Sequence, residues 1–176
     1  ALRLSVSVQD IVAAQAHIGT LKYKAHPKTR KYWSEVTTGV VVINPAVIAE
    51  QLEAAKAQVA AAKAAGTEIL VVCEKKMYAE ELEALAQKAG VAFLNYKVSG
   101  GFLTNFDTFK KRIDSINEMV SFMETDAFAS LTKKEQLVYK RNFERANKVY
   151  KGVTKLKKRP EVVIIVDGNM LSTLID

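Results

Sequence analysis

Apolar residues in this chain follow two rhythms. Short unbroken runs, Val40-Val41-Val42-Ile43, Ile69 to Cys73, Val91 to Leu94 and Val162 to Val166, carry no polar alternation. Such runs suit strands covered on both faces. Between them the apolar positions spread to helical spacing. Asn44 and Pro45 supply an N-cap and a first helical residue, and Ile48, Leu52, Ala55, Val59 and Ala62 then fall on one face before Gly66 stops the turn. A second helix carries Leu82, Leu85, Ala86 and Ala89 and ends at Gly90. Strands separated by helices predict right-handed crossovers and a parallel sheet, an α/β fold.

The rhythm changes after residue 105. Phe109, Ile113, Ile116, Val120 and Met123 recur at spacings of four and three, and Tyr139, Phe143, Ala146, Tyr150 and Val153 repeat the pattern. Two successive stripes of that kind predict an antiparallel helical hairpin packed like a coiled coil. Thr132 and Glu135 form a capping box that opens its second arm. The expected organisation is an α/β core over 1–105 and 156–176, with the hairpin inserted over 106–155.

Charge sharpens the picture. The net charge of the 176 residues is +7, but it is concentrated. Lys22 to Lys31 holds five basic residues and no acid, and Lys133 to Arg159 holds eleven against Glu135 and Glu144. Everything else is therefore net acidic. Patches of this kind are the footprint of a polyphosphate partner, because each cation at a phosphate releases condensed counterions. Tyr23, His26, Tyr32 and Trp33 stand among the first group of cations, a mixture suited to RNA, whose unpaired bases stack on rings. The arm spans about 17–38. A solvated, Lys-rich surface is the alternative reading of either segment, and the interleaved aromatics weigh against it in the first.

Candidate chemistry is sparse. One cysteine, Cys73, allows no internal disulfide and points to a reducing compartment. No apolar run approaches the roughly 20 residues of a membrane span. There is no Walker or Gly-x-Gly-x-x-Gly string and no Gly-x-Ser-x-Gly elbow. His17 and His26 have no nearby metal-ligand partners. Asp167 ends a strand, where catalytic carboxylates often sit, but turn residues are commoner there. We expect no catalytic residue, metal or cofactor.

The most informative string is Ser99-Gly100-Gly101-Phe102-Leu103-Thr104-Asn105-Phe106, on a strand-to-helix loop. Its glycines permit positive φ or close approach, and Thr104 or Asn105 is placed to cap the next helix by a side-chain oxygen. Gly-Gly-x-Leu-Thr-Asn-aromatic closely resembles the signature of the small ribosomal subunit protein two family. Other strings resemble that family in the same order: His17-Ile18-Gly19, Pro27-Lys28, Tyr32, Gly39, Ile43-Asn44, Ile69 to Val72 with Lys75, Asn95, Leu131 to Glu135, and Pro160 to Asp167. The departures are Thr20, His26 and Tyr96-Lys97-Val98-Ser99, which mark a divergent, bacterial-type member.

The resemblance implies a flavodoxin-like parallel sheet with flanking helices and a protruding, inserted helical hairpin. It also implies a structural constituent of the small ribosomal subunit, in the cytoplasm or in an organellar ribosome. Its partners would be small-subunit ribosomal RNA, neighbouring ribosomal proteins and, in many bacteria, the large mRNA-binding protein S-one. Charge and resemblance together nominate His17, Lys22, Tyr23, Lys24, His26, Lys28, Arg30 and Lys31 on the arm as RNA contacts. Lys75, Lys97, Gly100, Gly101, Thr104, Asn105 and Phe106 are nominated around the loop. The alternative is a stand-alone α/β nucleotide-binding enzyme that shares only the core. Val162 to Val166 is followed by only ten residues, so we expect the 176 residues to be part of a longer chain, or a neighbour to cover that strand's outer edge.

Overall fold

The computed structural model describes residues 6–175, and the chain divides into two compact units, 1–61 and 62–176. The first opens with α1, Val8–Ala13, whose N-terminus is closed by a reciprocal pair of bonds. The Asp10 amide donates to Ser7 Oγ at 3.2 Å and the Ser7 amide to the Asp10 carboxylate at 3.1 Å. Strands β1 (Ile18–Leu21), β2 (Trp33–Thr37) and β3 (Val40–Ile43) follow and pair antiparallel in the order β1-β3-β2.

The run Val40 to Ile43 is therefore a strand, but it belongs to this antiparallel sheet and not to the parallel one. Two local features put it there. Thr38 and Gly39 have φ of 50° and 79°, the left-handed pair that a tight primed hairpin between β2 and β3 requires. Gly19 lets β1 close on the other side, since a Cβ on it would lie 2.9 Å from the Val41 carbonyl oxygen. The helix expected next is α2, Pro45–Ala64, entered by Asn44, whose Oδ1 accepts the Ala46 amide at 3.0 Å. Its apolar stripe is not sequestered: no residue of α2 is buried, and Leu52 is 37% exposed.

The second unit is built on a parallel sheet. Strands β4 (Ile69–Val72), β5 (Ala92–Leu94) and β6 (Val162–Ile165) lie in the order β5-β4-β6, with Leu70 opposite Ala92 and Val163. Between β4 and β5 the chain makes α3, Ala79–Ala89, ended by Gly90 in the left-handed region at φ 68°. Helices α4 (Phe106–Met123), α5 (Asp126–Ala129) and α6 (Lys133–Tyr150) fill the connection from β5 to β6. Leu70, Val72 and Leu94 from the sheet meet Phe102, Phe106, Phe109 and Ile113, with Val153, Leu156 and Leu171 completing one core. The sheet is thus flanked by helices, as an α/β fold requires.

The helices that carry the two predicted stripes touch through rings. Phe109 lies 6.4 Å from Tyr150 and Phe122 5.2 Å from Tyr139, so α4 and α6 run antiparallel. Phe109, Ile113 and Ile116 are buried, whereas Val120 is 40% exposed and α6 buries no residue. The base of the helix pair is part of the core, and aromatic contacts rather than a continuous seam join the rest. The capping box at Thr132 forms as expected, its Oγ accepting the Glu135 amide at 3.4 Å. After α6 the Gly152 carbonyl accepts the Phe93 amide at 3.1 Å, which satisfies the outer edge of β5 at that point.

Candidate nucleic-acid interface

On the arm, β1 leads into a 3-10 turn at Lys22–Lys24 and a second at Pro27–Tyr32. Pro27 presets the first helical φ of the second turn, and His26 closes it: Nδ1 accepts the Lys28 amide at 3.2 Å. Thr29 Oγ1 donates to the His26 carbonyl at 2.6 Å and accepts Trp33 Nε1 at 3.1 Å, fixing the indole. Lys22, Lys24, Lys28, Arg30 and Lys31 are all exposed, and among the described residues none has a carboxylate partner. Lys31 rides 4.8 Å from the Tyr32 ring and Lys24 5.7 Å from Tyr23, itself 78% exposed. His17 is half-buried, with a covered Nδ1 that finds no hydrogen-bond partner among the described residues. The arm therefore offers unneutralised cations and accessible rings on one short stretch of backbone.

The glycine loop lies in the second unit. Gly101 has φ of 82° and its carbonyl accepts the Asn105 amide at 2.7 Å, so a left-handed residue is needed there. Gly100 is different: its φ is ordinary and a Cβ on it would meet nothing within 4 Å. The side-chain cap expected from Thr104 or Asn105 is not made. Asn105 occupies the N-cap position of α4, but its Oδ1 accepts the Thr108 hydroxyl at 2.9 Å instead of a backbone amide. Phe106 also departs from expectation, since it is 7% exposed with its ring edge-on to Phe102. That ring anchors the loop in the core, leaving Gly100, Gly101, Thr104 and Asn105 as the loop's outward residues.

Lys75 and Lys97 flank the carboxyl ends of β4 and β5. Lys75 Nζ sits 2.7 Å from Asp167, which lies just past the end of β6 with a left-handed φ of 66°. That hydrogen bond raises the Lys75 pKa and lowers that of Asp167, whose carboxylate also accepts the Asn169 and Met170 amides. Lys75 is thus an engaged cation that ties β4 to β6. Asp167 is the turn residue it looked like. Lys97 is exposed, on a segment held to the turn after β4 by the Val98 amide, which donates to Glu74 Oε1 at 2.7 Å. Lys157, Lys158 and Arg159 close the second basic segment but were not nominated as individual contacts. They face Leu103, Thr104 and Asn105 across a cleft of ≈ 430 Å³ that Asp107 and Lys110 also line. Three consecutive cations before Pro160 were the available signal.

Fold and surface together define a strongly basic α/β protein whose cations lie on exposed turns and helix faces. No helix of the described residues is long and apolar enough to cross a membrane. The chain belongs to the family described as Ribosomal protein S2, whose family model matches residues 11–176. It is 32% identical over 162 residues to the small ribosomal subunit protein uS2 of Coprothermobacter proteolyticus, covering 92% of this chain and 60% of that protein. It is 30% identical to the uS2 protein of Petrotoga mobilis, over 92% of this chain and 56% of that one. The chain thus spans less than two thirds of the length of these relatives. The resemblance read from the sequence is a family membership.

Proposed function

We propose that this chain is a structural constituent of the small ribosomal subunit, held there by ribosomal RNA and neighbouring ribosomal proteins. The observation that carries the reading is the arm: five exposed cations with no carboxylate partner among the described residues, in a member of a ribosomal protein family. Unpaired cations cost little in water and gain by releasing counterions at phosphates. The outward residues of the Gly101 loop, with Lys97 beside them, form a second contact to the same RNA. The helix pair from 106 to 155 presents the α6 cations as a further arm. Protein S-one is one candidate for a docked neighbour.

The deciding experiment is sedimentation of cell extract carrying the tagged chain. It should travel with small-subunit particles at moderate salt and leave them after ribonuclease treatment. A chain that stays at the top of the gradient at every salt concentration would defeat this reading.

A further inference from the structure

The proposed arm does more than carry charge, because the first unit folds around a slot beside it. The cavity measures ≈ 410 Å³ and opens between the 3-10 turns and the start of α2. Val41 and Ile48 give it an aliphatic wall, Tyr32 and Trp33 bring two rings, and His26 and Gln51 supply polar groups. No carboxylate of the described residues lines it, and Lys24 is among its lining residues. His26 Nδ1 is already an acceptor for the Lys28 amide, so the neutral ring carries its proton on Nε2 as a donor. The Trp33 indole is pinned by Thr29, so its plane is set before any ligand arrives.

We infer that this slot takes one unpaired nucleobase of an RNA strand whose flanking phosphates lie on Lys24, Lys28 and Lys31. Three features select that occupant. Volume and walls suit a flat, mostly apolar ring with polar edges, the kind of guest that stacks on aromatic side chains. The surrounding turns carry cations and no acid, which favours a phosphate chain and an acidic protein segment alike. The choice of RNA over such a segment rests on the paired rings and the edge donors, which an extended acidic peptide would leave unused. The inference deepens the proposed RNA-binding role by naming a base, in addition to phosphates, as what the arm recognises.

Trp33 is the chain's single tryptophan, so its emission reports on the slot alone. The test titrates the purified chain with a short single-stranded RNA and with the same RNA made abasic at its central positions. Binding is read separately by the anisotropy of a label on the RNA. Both strands should bind with similar salt dependence, and only the base-bearing one should quench Trp33. Equal quenching by both, or by neither, overturns the slot while leaving RNA binding intact. Failure of both strands to bind at low salt would defeat the RNA-binding role itself. Tyr32→Ala should weaken the base-bearing strand about tenfold, within the range for loss of one stacking ring, and leave the abasic strand unchanged. Equal weakening of both overturns the inference, as does an acidic peptide that quenches Trp33 where RNA does not.

Discussion

Gly152 is the position where one methyl group should do the most damage. A Cβ there would lie 2.2 Å from the Phe93 carbonyl oxygen and 2.7 Å from the Phe93 ring. No rotamer relieves that clash, because a β carbon has none and the nearest obstacle is strand backbone. Either β5 or the turn after α6 must move. Movement stretches the 3.1 Å bond from the Phe93 amide to the Gly152 carbonyl and disturbs Val153, which is fully buried next door. Overpacking of this kind costs about 1–3 kcal/mol, and a weakened buried hydrogen bond adds about 1 kcal/mol. Gly152→Ala should therefore destabilise the second unit by about 2–4 kcal/mol.

Urea unfolding followed by far-ultraviolet circular dichroism measures it, with Gly100→Ala as the internal control. Gly100 has an ordinary φ and open space, so its alanine variant should fall within about 0.5 kcal/mol of the parent. If Gly152→Ala were as stable as Gly100→Ala, the close approach of that turn to β5 would be wrong.

Other variants probe the remaining claims. Lys28, Arg30 and Lys31 replaced together by Ala should lower the log–log salt slope of RNA binding by about 2–3, at 0.7 to 0.9 per phosphate contact; an unchanged slope removes the arm from the interface. Phe102→Ala empties the centre of the ring cluster, where Phe102 is 1% exposed, and should cost about 3–5 kcal/mol in urea; a loss under 1 kcal/mol would show that the cluster does not support the fold. Thr132→Ala breaks the capping box and should cost about 1 kcal/mol, read as faster amide exchange in the first turn of α6.

How much of this was legible depended on whether the signal was local. Helix ends were, because caps act within four residues: Asn44 and Pro45, Thr132 with Glu135, and the left-handed Gly90 all stand where the residues indicated. The three strands of the parallel sheet were legible from unbroken apolar runs. Val40 to Ile43 has the same composition, and a run of that kind cannot announce its partners. Strands β1 and β2 lack such runs, so the antiparallel sheet stayed hidden, although Thr38-Gly39 was a hairpin signal. Lys75 looked like a free cation because its partner, Asp167, lies ninety-two positions away in the chain. Pairing across that distance is a property of sheet order, which no local pattern encodes.

That ion pair also fixes how the second unit should respond to pH. The Lys75 hydrogen bond and the Asn169 and Met170 amides favour ionised Asp167, so its folded pKa is depressed. A depressed carboxyl contributes stability above its unfolded pKa of about 4 and loses it as pH falls through the lower folded value. Glu135, held down by the Thr132 hydroxyl and amide, adds a contribution of the same sign at the start of α6. Lys75 is raised by the same partner, so its contribution is complete below about pH 10 and disappears only above that. Stability should therefore be flat between those limits with respect to this pair and fall on both sides. Asp167→Asn removes the pair without removing the side chain's capacity to accept hydrogen bonds. Melting temperatures of parent and variant should differ most near neutral pH and converge below pH 4. A difference that persists undiminished at pH 3 would mean that Asp167 acts through its turn geometry, where its φ is 66°, and not through its charge.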